Sequence, residues 1–276
     1  MAINVLSDLD PVARDRSYIR VNEKLVGRVL RFKELYPIRM ILDLACGTGL
    51  ITKLLLQRAR ALGLEPRVVC LDLDLEALRT ARDELDKGHT AMVGGQAQDL
   101  PLTGRFDLVL FCNSIHMLER QDKETAVREI HRVLRPGGHL VVNTSYYEGC
   151  YPKETKRFYV TWVKKALAIL NAKLPNREKG QRVAAMDWLT PEEYRNLLEA
   201  NGFRIFYLNN RCAKLAQNSF RAISEYRDFA MGALRAVERD SKAASQALKE
   251  TLGPAFRSSG LRRLSRNWLE IVAQKV

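Results

Sequence analysis

The sequence predicts an α/β protein with a doubly wound, mainly parallel seven-stranded sheet, helices on both faces and an added helical cap. Short apolar runs alternate with amphipathic helical stretches up to residue 144, and this alternation is typical of parallel strands joined by crossover helices. Residues 145–189 and 209–264 then interrupt the alternation. We therefore expect a single domain over residues 1–276 with a lid helix over residues 11–35 and a cap built from the two insertions.

The composition is that of a soluble globular protein, with 46% hydrophobic and 28% charged residues among 276. No apolar run reaches the ~18 residues of a membrane-spanning helix. The N-terminus lacks the basic and then apolar pattern of an export signal, which favours a cytoplasmic protein. The five cysteines show no C-x-x-C pairing, so we expect reduced thiols, no disulfide framework and no metal site.

The stretch 41–51 contains the most informative turn in the chain. An apolar run ends at Asp43, a turn follows with Gly47 and Gly49, and a new helical periodicity begins. Glycine lets the backbone turn sharply and lets a ligand lie against it, and the free N–H groups of the helix start then face that ligand. Thr52 occupies the third glycine position of the G-x-G-x-x-G fingerprint, which weakens a dinucleotide-binding interpretation.

A second apolar run, residues 68–72, also ends in an acid. Asp72 lies 23 residues after Gly49, the spacing expected for the acid at the end of the second strand of a βαβ unit. A carboxylate at that place can accept both hydroxyls of a ribose. The alternative is that Asp72 caps the helix that starts near Asp74.

The next segments follow the order of the same fold. A glycine-containing loop at residues 94–101 precedes an apolar strand at 106–111. A helix over 126–135 has its apolar residues on one face, and Pro136 with two glycines ends it before a fifth strand at His139–Asn143.

The C-terminal part resumes the alternation after the first insertion. Thr190 is a suitable N-cap, with Glu193 closing a capping box. A sixth strand is expected at 203–208, helices over 213–252, and an edge strand at 267–275 that completes seven strands.

Over residues 40–145 these segments resemble the class I, S-adenosylmethionine (SAM) dependent methyltransferases, in their small-molecule branch. The resemblance lies in D-x-x-C-G-T-G from Asp43, a G-D-A-x-x-L-P-like loop at 95–101, F-D-x-V from Phe106 and L-R-P-G-G from Leu134. It implies a methyltransferase of EC class 2.1.1 that uses SAM, releases S-adenosylhomocysteine (SAH) and acts on a small molecule.

The resemblance also implies a set of cofactor-binding residues at the carboxyl ends of the strands and in the lid. They are Tyr18, Arg20, Asp43, Ala45, Cys46, Gly47, Thr48, Gly49, Asp72, Leu73, Gln96, Ala97, Asp99 and Asn113. Gln96 stands where the family has an acid, and its amide oxygen can still accept a hydrogen bond from the adenine amine. Asp99 is the alternative partner, or else a solvated loop acid.

Two residues of the lid helix are expected to close over the methionine end of SAM. In similar enzymes an arginine of this helix can pair with the SAM carboxylate, a role we assign to Arg20, with Tyr18 beside it. The alternative is that both are ordinary surface residues of the helix.

Three residues are expected in the acceptor site. His116 follows strand four at the edge where such folds bind ligands, and an ordinary pKa near 6.5 suits a general base; packing or shaping the substrate pocket is the alternative. Tyr146 and Tyr147 follow strand five, where an aromatic pair can line the pocket or orient the acceptor, or one of them can pack in the core.

The charge is unevenly distributed along the chain. Residues 1–150 hold 21 Lys and Arg against 20 Asp and Glu, whereas residues 151–276 hold 24 against 12. A basic cap would attract an anionic or lipid-like acceptor, or contact a membrane peripherally. The alternative is a solvated face without a ligand.

Two other functions fit parts of the sequence. The basic second half is compatible with an RNA methyltransferase, but Asn113-Ser114-Ile115-His116 does not match the N-P-P-[YF] motif with which such enzymes hold a flipped base. A SAM-binding subunit without catalysis is the second alternative. The sequence leaves open the methylated atom and the oligomeric state.

Overall fold

The computed structural model describes residues 10–31, 38–181 and 183–276. Its central sheet consists of seven strands, β1 Met40–Leu44, β2 Arg67–Asp72, β3 Thr90–Gly94, β4 Phe106–Cys112, β5 Leu134–Thr144, β6 Phe203–Ala216 and β7 Arg263–Lys275. The strand order is β3-β2-β1-β4-β5-β7-β6. Only β7 runs against its neighbours, since it pairs antiparallel with both β5 and β6. The predicted fold class is confirmed.

Helices cover both faces of the sheet and form the cap. They are α1 Asp10–Ala13, α2 Arg16–Val29, α3 Leu50–Arg60, α4 Leu75–Glu84, α5 Arg120–Val133, α6 Lys153–Lys173, α7 Pro191–Ala200, α8 Gln217–Glu225, α9 Arg227–Leu234 and α10 Ser241–Ser259. The apolar faces of α2, α3 and α4 pack on one side of the sheet, and those of α5 and α7 on the other. Between them β4 is buried at every position, as a central parallel strand should be.

The lid differs from the predicted single helix over residues 11–35. Asp15 separates α1 from α2, and its side chain accepts hydrogen bonds from the backbone N–H groups of Ser17 and Tyr18, both at 3.0 Å. Aspartate is a favoured N-cap because it satisfies these otherwise free donors, so the helix restarts there. Residues 32–35 of the predicted helix lie outside the described residues.

The cap has an aromatic core of its own, built by α6, α8, α9 and α10. Its fully or nearly fully buried rings are Phe158, Trp162, Phe220, Phe229 and Phe256. The rings of Phe158 and Phe256 lie 4.8 Å apart, and the Trp162 indole N–H donates to the carbonyl oxygen of Leu248 at 2.9 Å.

The cap boundary predicted at residue 209 is wrong, whereas the boundary predicted at residue 264 lies within two residues of the start of β7. β6 continues to Ala216 and β7 begins at Arg263, and the two strands pair over that whole length. Asn209 and Asn210 have a low strand propensity, but their backbone groups are satisfied by β7, which overrides that preference. The predicted Thr190–Glu193 capping box is confirmed, with reciprocal hydrogen bonds of 3.0 and 2.7 Å.

The cap core should be sensitive to truncation at Phe158, which is 4% exposed. We expect Phe158→Ala to lower the free energy of unfolding by about 3–5 kcal/mol, because it removes a buried ring and leaves a cavity. Val160→Ala, on the same helix but 63% exposed, should change it by less than about 0.5 kcal/mol. Urea unfolding followed by circular dichroism measures both; equal effects would contradict this description of the core.

Candidate functional site

The loop Ala45–Gly49 passes over the carboxyl end of the sheet between β1 and α3. It contains three left-handed residues, Ala45 (φ 54°), Gly47 (φ 57°) and Gly49 (φ 82°). The positive φ favours glycine at position 49, and an added Cβ would lie 2.7 Å from Leu85 Cδ1, so the Leu85 side chain would have to shift. Ala45 adopts this conformation without being glycine, at a cost of about 1–3 kcal/mol, and such residues cluster at ligand-binding sites.

Asp72 joins this loop to the second strand. Its Oδ2 accepts the Gly47 N–H at 2.8 Å, and its Oδ1 accepts the Asp74 N–H at 2.9 Å. The helix α4 is capped by Asp74 instead, whose side chain accepts from the backbone of Glu76 and Ala77. The alternative role of Asp72 as a helix cap is therefore wrong. Burial raises the pKa of Asp72, while the two backbone hydrogen bonds oppose that effect.

Asp43 and Cys46 are buried residues at the start of this loop. Asp43 is 1% exposed and accepts a hydrogen bond from the Thr52 hydroxyl at 2.6 Å. Burial raises the pKa of Asp43 to about 7. Cys46 is also buried, and a hydrogen bond with Cys70 together with burial raises the pKa of its thiol. Thr52, whose position argued against a dinucleotide fingerprint, is the partner that holds Asp43.

The residues expected around the adenine lie at the same edge. Gly95, at the end of β3, donates its N–H to the Asp72 carbonyl oxygen at 3.0 Å. Leu73 is 72% exposed and offers an apolar surface beside Asp72. Gln96 and Asp99 are exposed and form an isolated bridge around the buried Ala97.

Asn113 connects three elements at the end of β4. It has a left-handed backbone (φ 57°), and its amide donates to Asn22 Oδ1 at 3.1 Å and accepts the Trp268 indole N–H at 3.2 Å. Its own N–H donates to the Asn143 carbonyl oxygen at 2.8 Å. These hydrogen bonds connect α2 and the Trp268 side chain of β7 to the carboxyl end of β4.

A cavity of about 50 Å³ lies between this edge and the cap. Its lining residues come from α1, α2, the ends of β4 and β5, β6, α8 and β7, and they are Val12, Asp15, Tyr18, Asn113, His116, Ser145, Tyr146, Leu215, Ser219, Ile223, Tyr226, Arg266 and Trp268. Four residues predicted from the sequence converge here.

Of the residues predicted in the lid helix and the acceptor site, Arg20 and Tyr147 do not reach the cavity. Arg20 is exposed on α2, whereas Tyr18 lines the cavity, because residues two apart on a helix do not share a face. Tyr147 is fully buried in the sheet core, since successive residues leaving a strand point to opposite sides. The predicted contact of Tyr147 with an acceptor is therefore wrong, and the position of Arg20 does not support its proposed pairing with SAM.

His116 is buried in the cavity wall, with 4% of its surface exposed. Its Nδ1 lies 3.1 Å from the Thr144 hydroxyl, and its ring stacks on Tyr146 at 4.3 Å between centroids. Burial, followed by the positive charges of Arg266 and Lys123, lowers the pKa of His116 to about 3. The expectation of an ordinary pKa is wrong, and the imidazole is neutral at physiological pH.

Arg266, which is 1% exposed, is a further residue of the cavity wall that was not predicted from the sequence. Its guanidinium donates to the Tyr159 hydroxyl at 3.1 Å and to the Ser145 carbonyl oxygen at 3.0 Å. It also lies over the rings of Tyr146 and Tyr151, at 4.7 and 5.1 Å. No local pattern marks this residue, because its neighbours Ser265 and Asn267 are polar and the predicted strand began at residue 267.

Comparison with known proteins assigns the first half of the sheet to a family. Residues 41–138 match the family model described as "Methyltransferase domain". Over these residues the chain matches a methyltransferase domain, and its seven-stranded sheet has the fold of the class I, SAM-dependent methyltransferases. The matched residues run from β1 to the glycines that open β5, and so include the glycine loop, Asp72 and His116.

Relatives and solved structures agree with the family. The chain is 31% identical to the ubiquinone/menaquinone biosynthesis C-methyltransferase UbiE of Pseudomonas paraeruginosa over 138 residues. This aligned segment covers 45% of this chain and 52% of the relative. The chain therefore spans about half the length of the curated relatives it matches.

Two solved structures share the fold. A protein from Bacillus halodurans C-125 that is assigned as a methyltransferase superposes with a TM-score of 0.57 at 18% identity, over 91% of this chain and 98% of that one. A geranyl diphosphate methyltransferase in complex with SAM gives 0.51 at 16% identity, over 94% and 86%. Within the described ranges, no helix has the length and apolarity needed to span a membrane.

The methyltransferase domain should lose SAH affinity when Asp72 is removed. Asp72→Ala deletes a charged hydrogen-bond acceptor and frees the Gly47 N–H, so we expect binding to weaken by about 1.5–3 kcal/mol. Asp83→Ala, an exposed acid on α4, is the control. Isothermal titration calorimetry with SAH measures both, and unchanged affinity in Asp72→Ala would remove this residue from the site.

The buried His116 should make the protein less stable in acid. Its imidazole takes up a proton near pH 6.5 when unfolded but only near pH 3 when folded. The free energy of unfolding is therefore unaffected by His116 protonation above pH 6.5. As the pH falls from 6.5 toward 3, it decreases by about 1.4 kcal/mol per pH unit, because the unfolded chain binds a proton that the folded protein does not.

His116→Gln should flatten this pH dependence. Urea unfolding at pH 8, 6, 5 and 4 gives the free energy of unfolding of both proteins, and pH 8 supplies the baseline because both side chains are neutral there. If the free energy of unfolding depended on pH in the same way in both proteins, the fold would not be holding His116 neutral.

Proposed function

We propose that this protein transfers a methyl group from SAM to a small-molecule acceptor held under the cap. The observation that carries the proposal is the Asp72 carboxylate bound to the Gly47 N–H, at the edge of the sheet that also borders the cavity with His116, Tyr146 and Arg266. A cofactor site and an acceptor site under the cap then share one edge, as methyl transfer requires.

The cofactor half of the site would use the glycine loop and its neighbours. The Asp72 carboxylate would accept the ribose hydroxyls, and the backbone of Ala45–Gly49 would lie against the amino-acid moiety. Leu73 offers an apolar surface for the adenine, and Gln96 or Asp99 an acceptor for its amine. When bound, SAM supplies a methyl group already activated by its positive sulfur.

The acceptor half of the site would then act mainly by position and by excluding water. Tyr18 and Tyr226 enclose the cavity from the lid and cap sides. The neutral His116, held by Thr144 and stacked on Tyr146, can orient an acceptor by a hydrogen bond. A pKa near 3 makes it a weak base at neutral pH, so we assign it positioning in place of the general-base role expected from the sequence.

The enclosure supports a small acceptor over RNA. Cap helices and the lid both contribute to the cavity wall, whereas a nucleic acid needs an open, basic groove. The relatives act in ubiquinone and menaquinone biosynthesis, as their names state. The excess of basic residues in 151–276 supports an anionic acceptor. If the acceptor is lipid-like, the same basic residues would contact a membrane surface peripherally. We also propose a cytoplasmic location.

Methyl transfer can be tested with SAM labelled in its methyl group. The purified protein is incubated with separate small-molecule, lipid and RNA fractions of a cell extract, with Asp72→Ala and Asp83→Ala as the impaired and control variants. We expect label in the small-molecule or lipid fraction, lost by more than about tenfold in Asp72→Ala. Label in the RNA fraction would contradict the proposal, and so would binding of NAD in preference to SAM.

A further inference from the structure

The cavity wall contains a positive charge that the described protein does not neutralise. Arg266 is 1% exposed, and its hydrogen-bond acceptors are a tyrosine hydroxyl and a backbone carbonyl oxygen. Among the described residues no aspartate or glutamate pairs with it. This differs from Glu270 on the same strand, a buried carboxylate that binds both Arg28 and Arg211.

A buried charge of this kind is costly unless a partner compensates for the lost water. The aromatic faces of Tyr146, Tyr151 and Trp268 lie 4.7, 5.1 and 5.9 Å from the guanidinium carbon. Such contacts stabilise a cation, but they offset only part of the free-energy cost of removing the guanidinium from water. The surroundings of Arg266 therefore favour an additional, negatively charged partner.

The guanidinium also has free donors. Arginine carries five N–H groups in one plane, and the described hydrogen bonds of Arg266 use two acceptors. Its Nε is buried without a partner, and the residue lines the cavity. A planar set of donors of this kind matches two oxygens of a carboxylate or phosphate.

The acidic groups of the cavity wall are already engaged. Asp15 is the carboxylate that lines the same cavity, but its Oδ1 caps α2 and its Oδ2 accepts from Ser219 at 3.0 Å. Burial raises the pKa of Tyr146 and Tyr159 above the usual tyrosine value, so their hydroxyls stay protonated.

We propose that Arg266 binds an oxyanion of the methyl acceptor, a carboxylate or a phosphate, while the apolar body of the acceptor packs on Tyr146 and Trp268. The inference rests on the proposed function and adds the residue that selects the acceptor. Tyr146 contacts both His116 and Arg266, so an acceptor held by Arg266 lies beside the imidazole that would orient it.

The test uses three probes of similar size on the SAH-loaded protein. They are 4-hydroxybenzoate, its neutral amide and phenyl phosphate, titrated by calorimetry at about 0.15 M salt. The variants are Arg266→Gln, which removes the charge, and Arg266→Lys, which keeps the charge without the planar donors. Arg263→Gln, an exposed arginine on the same strand, is the matched control, and SAH affinity reports whether each variant is folded.

We expect one or both anions to bind at least about tenfold more tightly than the amide. Arg266→Gln should abolish that preference without changing SAH affinity, Arg266→Lys should retain part of it, and Arg263→Gln should behave as the unmodified protein. The anion that binds more tightly identifies the acidic group of the acceptor as a carboxylate or a phosphate.

Three results would overturn the proposal: equal binding of anions and amide, an unchanged preference in Arg266→Gln, or no binding of any probe to a protein that binds SAH. Failure of the unmodified protein to bind SAH would instead count against the proposed function. The same titrations on the protein without SAH would then decide the role of Arg266 by itself.

Discussion

The hydrogen bond from the Gly47 N–H to the Asp72 carboxylate is the contact on which the site depends. Because β1 and β2 are parallel neighbours, their carboxyl ends meet at one edge, and this bond ties the loop after β1 to the acid that ends β2. It fixes a left-handed glycine backbone beside a partly buried carboxylate. Removing either partner would leave the other without its hydrogen bond at a place where water is partly excluded.

The second half of the site depends on the antiparallel strand β7. By entering between β5 and β6, β7 carries Arg266 and Trp268 to the cavity, and the Trp268 indole binds Asn113 at the end of β4. The sheet edge and the cap are thus connected through side chains of one strand. Burial in the cavity wall lowers the pKa of His116, so a buried position and a strong histidine base are incompatible here.

Local signals in the sequence predicted much of this arrangement. The glycine turn, the acid at the end of β2 and the Thr190 capping box each depend on residues close together in the chain, and all three are found in the structure. The extent of β6 was not predictable in that way, because Asn209 to Ala216 become a strand only by pairing with β7. Arg266 was one of 24 basic residues in 151–276, and its burial is a property of the folded cap alone.

A crystal structure of the protein with SAH would show directly where the cofactor and the acceptor cavity meet. We expect the Asp72 carboxylate on the ribose hydroxyls, the amino-acid moiety against Ala45–Gly49, and the sulfur directed into the cavity lined by Tyr18, His116 and Tyr146. SAH bound away from the glycine loop, or with its sulfur directed away from that cavity, would contradict the proposed site.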